Sequence, residues 1–266
     1  MTDAPSDLTN GPSDLTDAIF GPIDQCIFGH MKPFQFKQFS IHQDRCAMKV
    51  GTDGVLLGAW ASLDHHPATI LDIGAGTGLI ALQLAQRSFA GTIDAIELED
   101  DAYEQCVANF EASPWGDRLF CYHAGFDEFV DEMDEPYDLI VSNPPFYSED
   151  VASGDEARDK ARQNNSLPFE ELVQGSVQLL TEKGIFAVII PFKEEQRFTK
   201  LAQKVGLFPT RITRVKGNPE TDFKRSLMEF SFKNSEPQID SLIIENDRHQ
   251  YTEAYIKLTQ AFYLKM

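Results

Sequence analysis

Positive charge is scarce in this 266-residue chain, where 23 Lys and Arg stand against 42 Asp and Glu for a formal net charge of -19. Phosphate attraction depends on accumulated lysine and arginine, so the balance argues against a generic nucleic-acid binder. Cysteine is scarce as well. Cys26, Cys46, Cys106 and Cys121 stand far apart, with no CxxC pair and no clustered histidine. Reduced thiols are therefore expected, and neither a metal site nor a disulfide framework is implied. Long apolar runs are missing: the stretch from Gly184 to Pro191 is typical, and a membrane crossing needs about 20 residues. No membrane association is expected. Asp3 and Asp7 precede the first basic residue, Lys32, which is the wrong charge for the start of a secretory signal. The cytoplasm is the default location.

What is present is enough apolar material, 42% hydrophobic and 11% aromatic, for a substantial core. The phrase PSDLTN followed by PSDLTD marks a polar beginning too poor in apolar residues to fold. Residues 1–31 are expected to be a disordered tail, and residues 32–266 a single domain acting as a monomer. Charge is unevenly spread. Residues 61–156 hold 21 acids and 2 bases, whereas residues 157–266 hold 14 acids and 17 bases. Phe34, Phe36 and Phe39, interleaved with Gln35, Lys37 and Gln38, suit a half-buried strand or hairpin ahead of a helix over 53–61.

From Thr69 onward short β-branched runs alternate with longer helix-period segments, the pattern of parallel βα units. Strands are expected over 69–73, 92–97, 118–123, 138–142 and 185–190, and helices over 78–88, 100–112, 167–181 and 193–205. Two further β-rich segments, 211–216 and 226–232, are separated by Gly217, Asn218 and Pro219 and read as a hairpin finishing the sheet. A mostly parallel seven-stranded sheet with helices on both faces results, closed by a helix over 251–263.

Asp72 to Gly78, the phrase DIGAGTG, follows the first buried strand and leads into the helical LIALQLAQR. Gly74, Gly76 and Gly78 permit a tight turn and close approach of a ligand to backbone amides at a helix start. Such glycines also occur for the turn alone. Glu97 ends the second strand, where a carboxylate can accept from both hydroxyls of a ribose; a nicotinamide dinucleotide would be served equally. The acid at the front separates the two. D-x-G-x-G-x-G resembles motif I of the class I (Rossmann-like) S-adenosylmethionine-dependent methyltransferases, whose acidic residue contacts the methionine end of the cofactor. Asp101 lies in an acid-rich helix start with Glu99 and Asp100, which complements the helix dipole, and is assigned no ligand.

The apolar strand from Tyr137 to Ser142 ends in Asn143, Pro144, Pro145 and Phe146. A sulfonium methyl is already activated, so no metal is required and the protein chiefly aligns the attacking nitrogen and excludes water. A planar amine is a poor nucleophile, and two acceptors holding its hydrogens favour the more tetrahedral, reactive geometry. Asn143 Oδ1 and the Pro144 carbonyl suit that task, while Phe146 can stack on a flat target. The bland alternative is an ordinary Asn-Pro turn. Together with the glycine loop and Glu97, the NPPF phrase resembles the amino-group methyltransferases of adenine N6, guanine N2 and protein glutamine.

Further stretches resemble the bacterial tRNA(Val) adenine-37 N6-methyltransferase family over most of the chain: Phe36 to Phe39, Asp44 to Gly54, Leu56 to Ala61, Ser113 to Trp115 and Leu258 to Leu264. The resemblance implies S-adenosylmethionine as cofactor and the anticodon loop of a tRNA as partner. Read physically, Lys49, Thr52 and Asp53 stand at the entry to the expected helix, placed to fold over the cofactor; capping of that helix by Asp53 or Thr52 is the bland alternative. One departure concerns the cofactor adenine: the family commonly has Ala-Asp after the third strand, whereas here Ala124 is followed by Gly125, with Asp127 two positions later. The candidate RNA surface is Lys193, Arg197, Lys200, Lys204, Arg211, Arg214, Lys216, Lys224 and Arg225, with a second cluster at Arg158, Lys160 and Arg162. A solvated helix face accounts for the first group nearly as well. The alternatives are an amino methyltransferase of ribosomal RNA guanine N2 or protein glutamine, and a cofactor-binding regulator.

Overall fold

Short apolar strands alternating with longer helices do build an α/β layered structure. The computed structural model describes residues 32–145 and 167–265. The tail, Phe146 and the cluster Arg158, Lys160 and Arg162 lie outside them. The strands are β1 (Phe34–Gln35), β2 (Ser40–Ile41), β3 (Thr69–Ile73), β4 (Thr92–Glu97), β5 (Leu119–His123), β6 (Tyr137–Ser142), β7 (Leu180–Pro191), β8 (Phe208–Lys216), β9 (Arg225–Ser231), β10 (Gln238–Ile243), β11 (Glu245–Asp247) and β12 (Gln250–Tyr251). The described helices are α1 (Thr52–Trp60), α2 (Leu79–Arg87), α3 (Asp100–Glu111), α4 (Phe126–Glu132), α5 (Phe169–Leu179), α6 (Glu195–Lys204) and α7 (Glu253–Thr259).

The main sheet has the order β10-β8-β9-β7-β6-β3-β4-β5. Strands β3 to β7 pair in parallel, and β9 is antiparallel to both β7 and β8. The class I fold is as expected, with one correction: among the described residues the sheet has eight strands, because β10 adds in parallel to β8. Its sequence hid it. Gln238, Ile239, Asp240 and Ser241 are all exposed on an edge strand, so no alternating apolar face announces it. Central β7 is the opposite case: Phe186 to Ile190 are fully buried, the near-continuous apolar run of a strand covered on both faces. Each of Phe186, Val188, Ile189 and Ile190 contributes about 1.5–3 kcal/mol by burial.

Two core clusters lie on the two sides of the sheet. One gathers α1, α2, α3 and α7 residues such as Leu56, Leu82, Phe110 and Tyr255; the other gathers Phe129, Leu172 and Phe198 of α4, α5 and α6. Arginines satisfy carbonyls at the end of helix α1. Arg87 donates to Gly58 O and Ala61 O at 2.7 and 3.0 Å, and Arg211 to Trp60 O at 2.8 Å. Phrases far apart in sequence meet in one aromatic cluster. Phe36 lies 4.8 Å from Phe39 and 5.8 Å from Tyr263 between ring centroids, and Phe39 lies 6.0 Å from Trp115.

Candidate active site

Strand register sets the geometry. Ile73 of β3 pairs with Ile96 of β4 on one side and with Ser142 of β6 on the other. Gly74, Glu97 and Asn143 are each the next residue, so three expected site residues leave three neighbouring strands at one level. Between β4 and β6 the chain changes sides of β3, the place where ligands bind in open α/β sheets. Ser142 Oγ donates to Ile73 O at 3.0 Å and ties the two strand ends together. Asn143 and Pro145 are half-buried and Pro144 is buried.

Asp72, next to last in β3, is fully buried, and its Oδ2 accepts from the Ala81 N–H of α2 at 3.1 Å. Among the described residues its buried Oδ1 has no hydrogen-bond partner. Burial pushes the carboxyl up to about 7; the Ala81 bond opposes this and Glu97 adds to it. An acceptor in that state wants a donor, best a cation. The glycines divide their work. Gly74 and Gly76 have φ of 72° and 56°, and among the described residues a Cβ on either would meet nothing within 4 Å, leaving open volume against bare backbone. Gly78, at φ 77°, instead packs: a Cβ there would stand 2.5 Å from Phe110 Cε1 and 2.9 Å from Cys106 Sγ.

Glu97 is half-buried and accepts three backbone N–H groups: Gly76 at 2.7 Å on Oε2, and Leu98 and Glu99 at 2.9 and 3.0 Å on Oε1. A carboxylate offers about four acceptor positions, so Oε2 keeps capacity for a hydroxyl. An orphaned buried carboxylate oxygen, an open glycine turn and a ribose-competent carboxylate at neighbouring strand ends fit an amino-acid-bearing nucleoside such as S-adenosylmethionine. At the adjoining end of β5, Ala124 N donates to Glu97 O at 3.3 Å. A Cβ on Gly125 would lie 2.8 Å from Asp127 Oδ1. The exposed Asp127 therefore folds its carboxylate back to where a side chain at position 125 would begin.

The pre-motif residues are arranged differently from expectation. The cap of α1 is Gly51, not Thr52 or Asp53, and it makes no side-chain cap bond. Asp53 is in the first turn and pairs with Arg225 Nε at 2.7 Å, while Thr52 is exposed. Lys49 donates to Gln43 O and Cys46 O, stapling its own loop. That loop lies close to the crevice all the same. Burial first and Glu97 second push the Cys46 thiol up to about 11, and Lys49 works against them.

Two buried amides of α3 went unforeseen. Asn109 accepts from His42 N and donates to His42 O and Thr77 O, all at 2.9 Å, joining the segment after β2 to the glycine turn. Gln105 accepts from Arg45 N at 3.1 Å. Asn109 shares the apolar face of α3 with Ala102, Cys106 and Phe110, and an amide on such a face was the available signal. The candidate RNA surface is also reduced. Arg211 is bonded to Glu229 at 2.7 Å, Arg214 to Glu195 at 2.8 Å and Arg225 to Asp53, so these guanidiniums are committed within the fold.

A family profile described as Methyltransferase small domain matches residues 54–208. A Flavobacterium johnsoniae protein named tRNA1(Val) (adenine(37)-N6)-methyltransferase is 64% identical over 88% of this chain and 100% of its own length. Proteins of the same name from Christiangramia forsetii and Bacteroides fragilis are 62% and 44% identical over 88% of this chain, covering 99% and 98% of theirs. Among solved structures, a predicted O-methyltransferase from Agrobacterium tumefaciens superposes with a TM-score of 0.60 at 19% identity, covering 79% of this chain and 96% of that one. It is similar in fold.

Proposed function

The chain belongs to the tRNA1(Val) (adenine(37)-N6)-methyltransferase family, and from that premise we propose that it transfers the methyl group of S-adenosylmethionine to the N6 amine of adenine 37 in the anticodon loop of a tRNA. In this reading residues 32–266 act as one methyltransferase domain, as a cytoplasmic monomer. The observation that carries the reading is the common level of Gly74, Glu97 and Asn143 at the ends of β3, β4 and β6. It sets the Asn143-Pro144-Pro145 phrase beside the glycine turn and Glu97, which supports the reading.

S-adenosylmethionine supplies an activated methyl group, so the protein's contribution is alignment and exclusion of water. Asp72 Oδ1 takes the ammonium of the cofactor's methionine end, Gly74 and Gly76 let its chain lie on bare backbone, and Glu97 accepts from the ribose. Gly78 holds the turn by packing on Phe110. Asp127 stands in for the acid that relatives place after the alanine, and accepts from the adenine amine of the cofactor. Lys49 and Asp53 hold the flanking loop and the start of α1, with Thr52 at the loop's exit. Asn143 Oδ1 and the Pro144 carbonyl accept the two hydrogens of the target amine, turning its lone pair toward the methyl group, and Phe146 stacks on the target base.

Labelled S-adenosylmethionine incubated with unmodified tRNA, ribosomal RNA and a protein acceptor tests this. Label confined to adenine 37 of tRNA is the expected result. Label in ribosomal guanine or in protein would overturn the substrate, and binding without transfer to any acceptor would overturn the enzyme.

A further inference from the structure

The crevice is walled by acids on one side. Glu97, Glu99, Asp100, Asp101, Asp127 and Glu128 all lie at the ends of β4 and β5 or in the helix starts that follow, where a phosphodiester chain would be repelled. The opposite side differs. Strand β8 runs in the direction of β6 and β7, because β9 is antiparallel to both β7 and β8. The turn from Lys216 to Arg225 therefore rises at the same edge as Asn143, and Pro191 pairs with Arg225 beside it. Val188 pairs with Ser142, so Phe192 stands about three residues past the level of Asn143, roughly 10 Å farther along the strand direction.

Two rings meet there. Phe192 and Phe223 lie 5.5 Å apart between centroids, tilted by 52°. Both are half-exposed, and neither belongs to or packs on either core cluster. Cations flank them: Lys216 Nζ lies 5.9 Å from the Phe223 centroid and Arg214 Cζ 5.6 Å from that of Phe192. Lys193 and Lys224 are exposed beside them, with the acids Glu220 and Asp222 on the outer turn. The platform is anchored, since Phe192 N donates to Lys224 O at 3.1 Å and Lys224 N to Val215 O at 2.8 Å. Aromatic rings that serve no core, bordered by lysines at the rim of the crevice, have the makeup of a single-strand RNA site.

We propose that Phe192 and Phe223 stack an unpaired base flanking the target nucleotide, while Lys193 and Lys224 hold its phosphates. The inference rests on RNA being the substrate, as proposed above, and adds where that RNA lies. Binding of an unmodified tRNA transcript is measured by fluorescence anisotropy, with cofactor affinity measured by calorimetry as the control. Phe223→Leu keeps an apolar side chain without a stacking face and is expected to weaken tRNA binding roughly tenfold; Phe223→Trp restores it, and cofactor affinity is unchanged in both. Replacing Lys193 and Lys224 by Ala is expected to flatten the dependence of log affinity on log salt by about 0.7 for each phosphate no longer neutralised. A Phe223→Leu variant that binds tRNA as tightly as the wild type overturns the proposal while leaving the methylation reading standing. A wild type that binds tRNA through Phe223 without methylating it overturns the methylation reading and supports the platform.

Discussion

In the proposed pairing of Asp72 with the cofactor ammonium, cofactor binding is expected to depend on pH. Folding holds the Asp72 carboxyl at about 7, through burial first, with the Ala81 bond opposing and Glu97 adding. A free aspartate titrates near 3.9. The folded chain thus keeps a proton that the unfolded chain gives up, so stability falls as pH rises from about 4 to about 7, by up to about 4 kcal/mol at this one site. Cofactor binding runs the other way. The ammonium of S-adenosylmethionine needs the carboxylate form, so binding below neutrality expels a proton. Between pH 5.5 and 7.0 the ionised fraction rises from about 3% to about 50%, and affinity is expected to rise roughly fifteenfold before levelling as the cofactor amine begins to lose its charge near 7.7. Calorimetry in two buffers of different ionisation enthalpy reads both the affinity and the proton released. Asp72→Asn keeps an acceptor for Ala81 and is expected to bind more weakly with a flat profile. A wild-type affinity that stays constant from pH 5.5 to 7.0 would refute the pairing of Asp72 with the ammonium.

Three further outcomes are expected. Asn143→Ala should slow single-turnover methyl transfer on the order of a hundredfold while cofactor affinity stays at the wild-type level, because the missing acceptor faces the target amine; equal rates would assign the chemistry elsewhere. Asp127→Ala should weaken cofactor binding with thermal unfolding unchanged, since the side chain is exposed and its carboxylate lies over Gly125; unchanged affinity would make it a surface residue. Gly78→Ala should lower the unfolding midpoint more than Gly76→Ala, because both suffer positive-φ strain of about 1–2 kcal/mol but only position 78 adds a clash with Phe110, costing about 1–3 kcal/mol more. Similar midpoints for the two variants would refute that division.

What could be read in the sequence was what rests on neighbours along the chain. The runs of β3, β4, β6 and β7 are apolar because both faces are covered, and the glycine turn and NPPF phrase follow directly from their ends, so elements and crevice were legible together. What escaped depends on distant partners. The acids Glu229, Glu195 and Asp53 commit Arg211, Arg214 and Arg225, and no spacing rule shows which cations a fold has already used. Edge strand β10 has no buried stripe to betray it. The cap of α1 fell to Gly51 because Asp53 is turned to Arg225, an ion pair spanning most of the chain.

The shared rung of Ile73, Ile96 and Ser142 has a consequence for how such a protein can change. Segments joining the strands can lengthen or shorten at the surface with little cost, because loop closure depends only weakly on length. The strands themselves have no such freedom. One residue inserted in β6 would carry Asn143 about 3.3 Å past the rung and turn its side chain to the opposite face of the sheet. Sequence drift in this architecture is thus quantised: whole loops are negotiable, while the phase of three short strands is not.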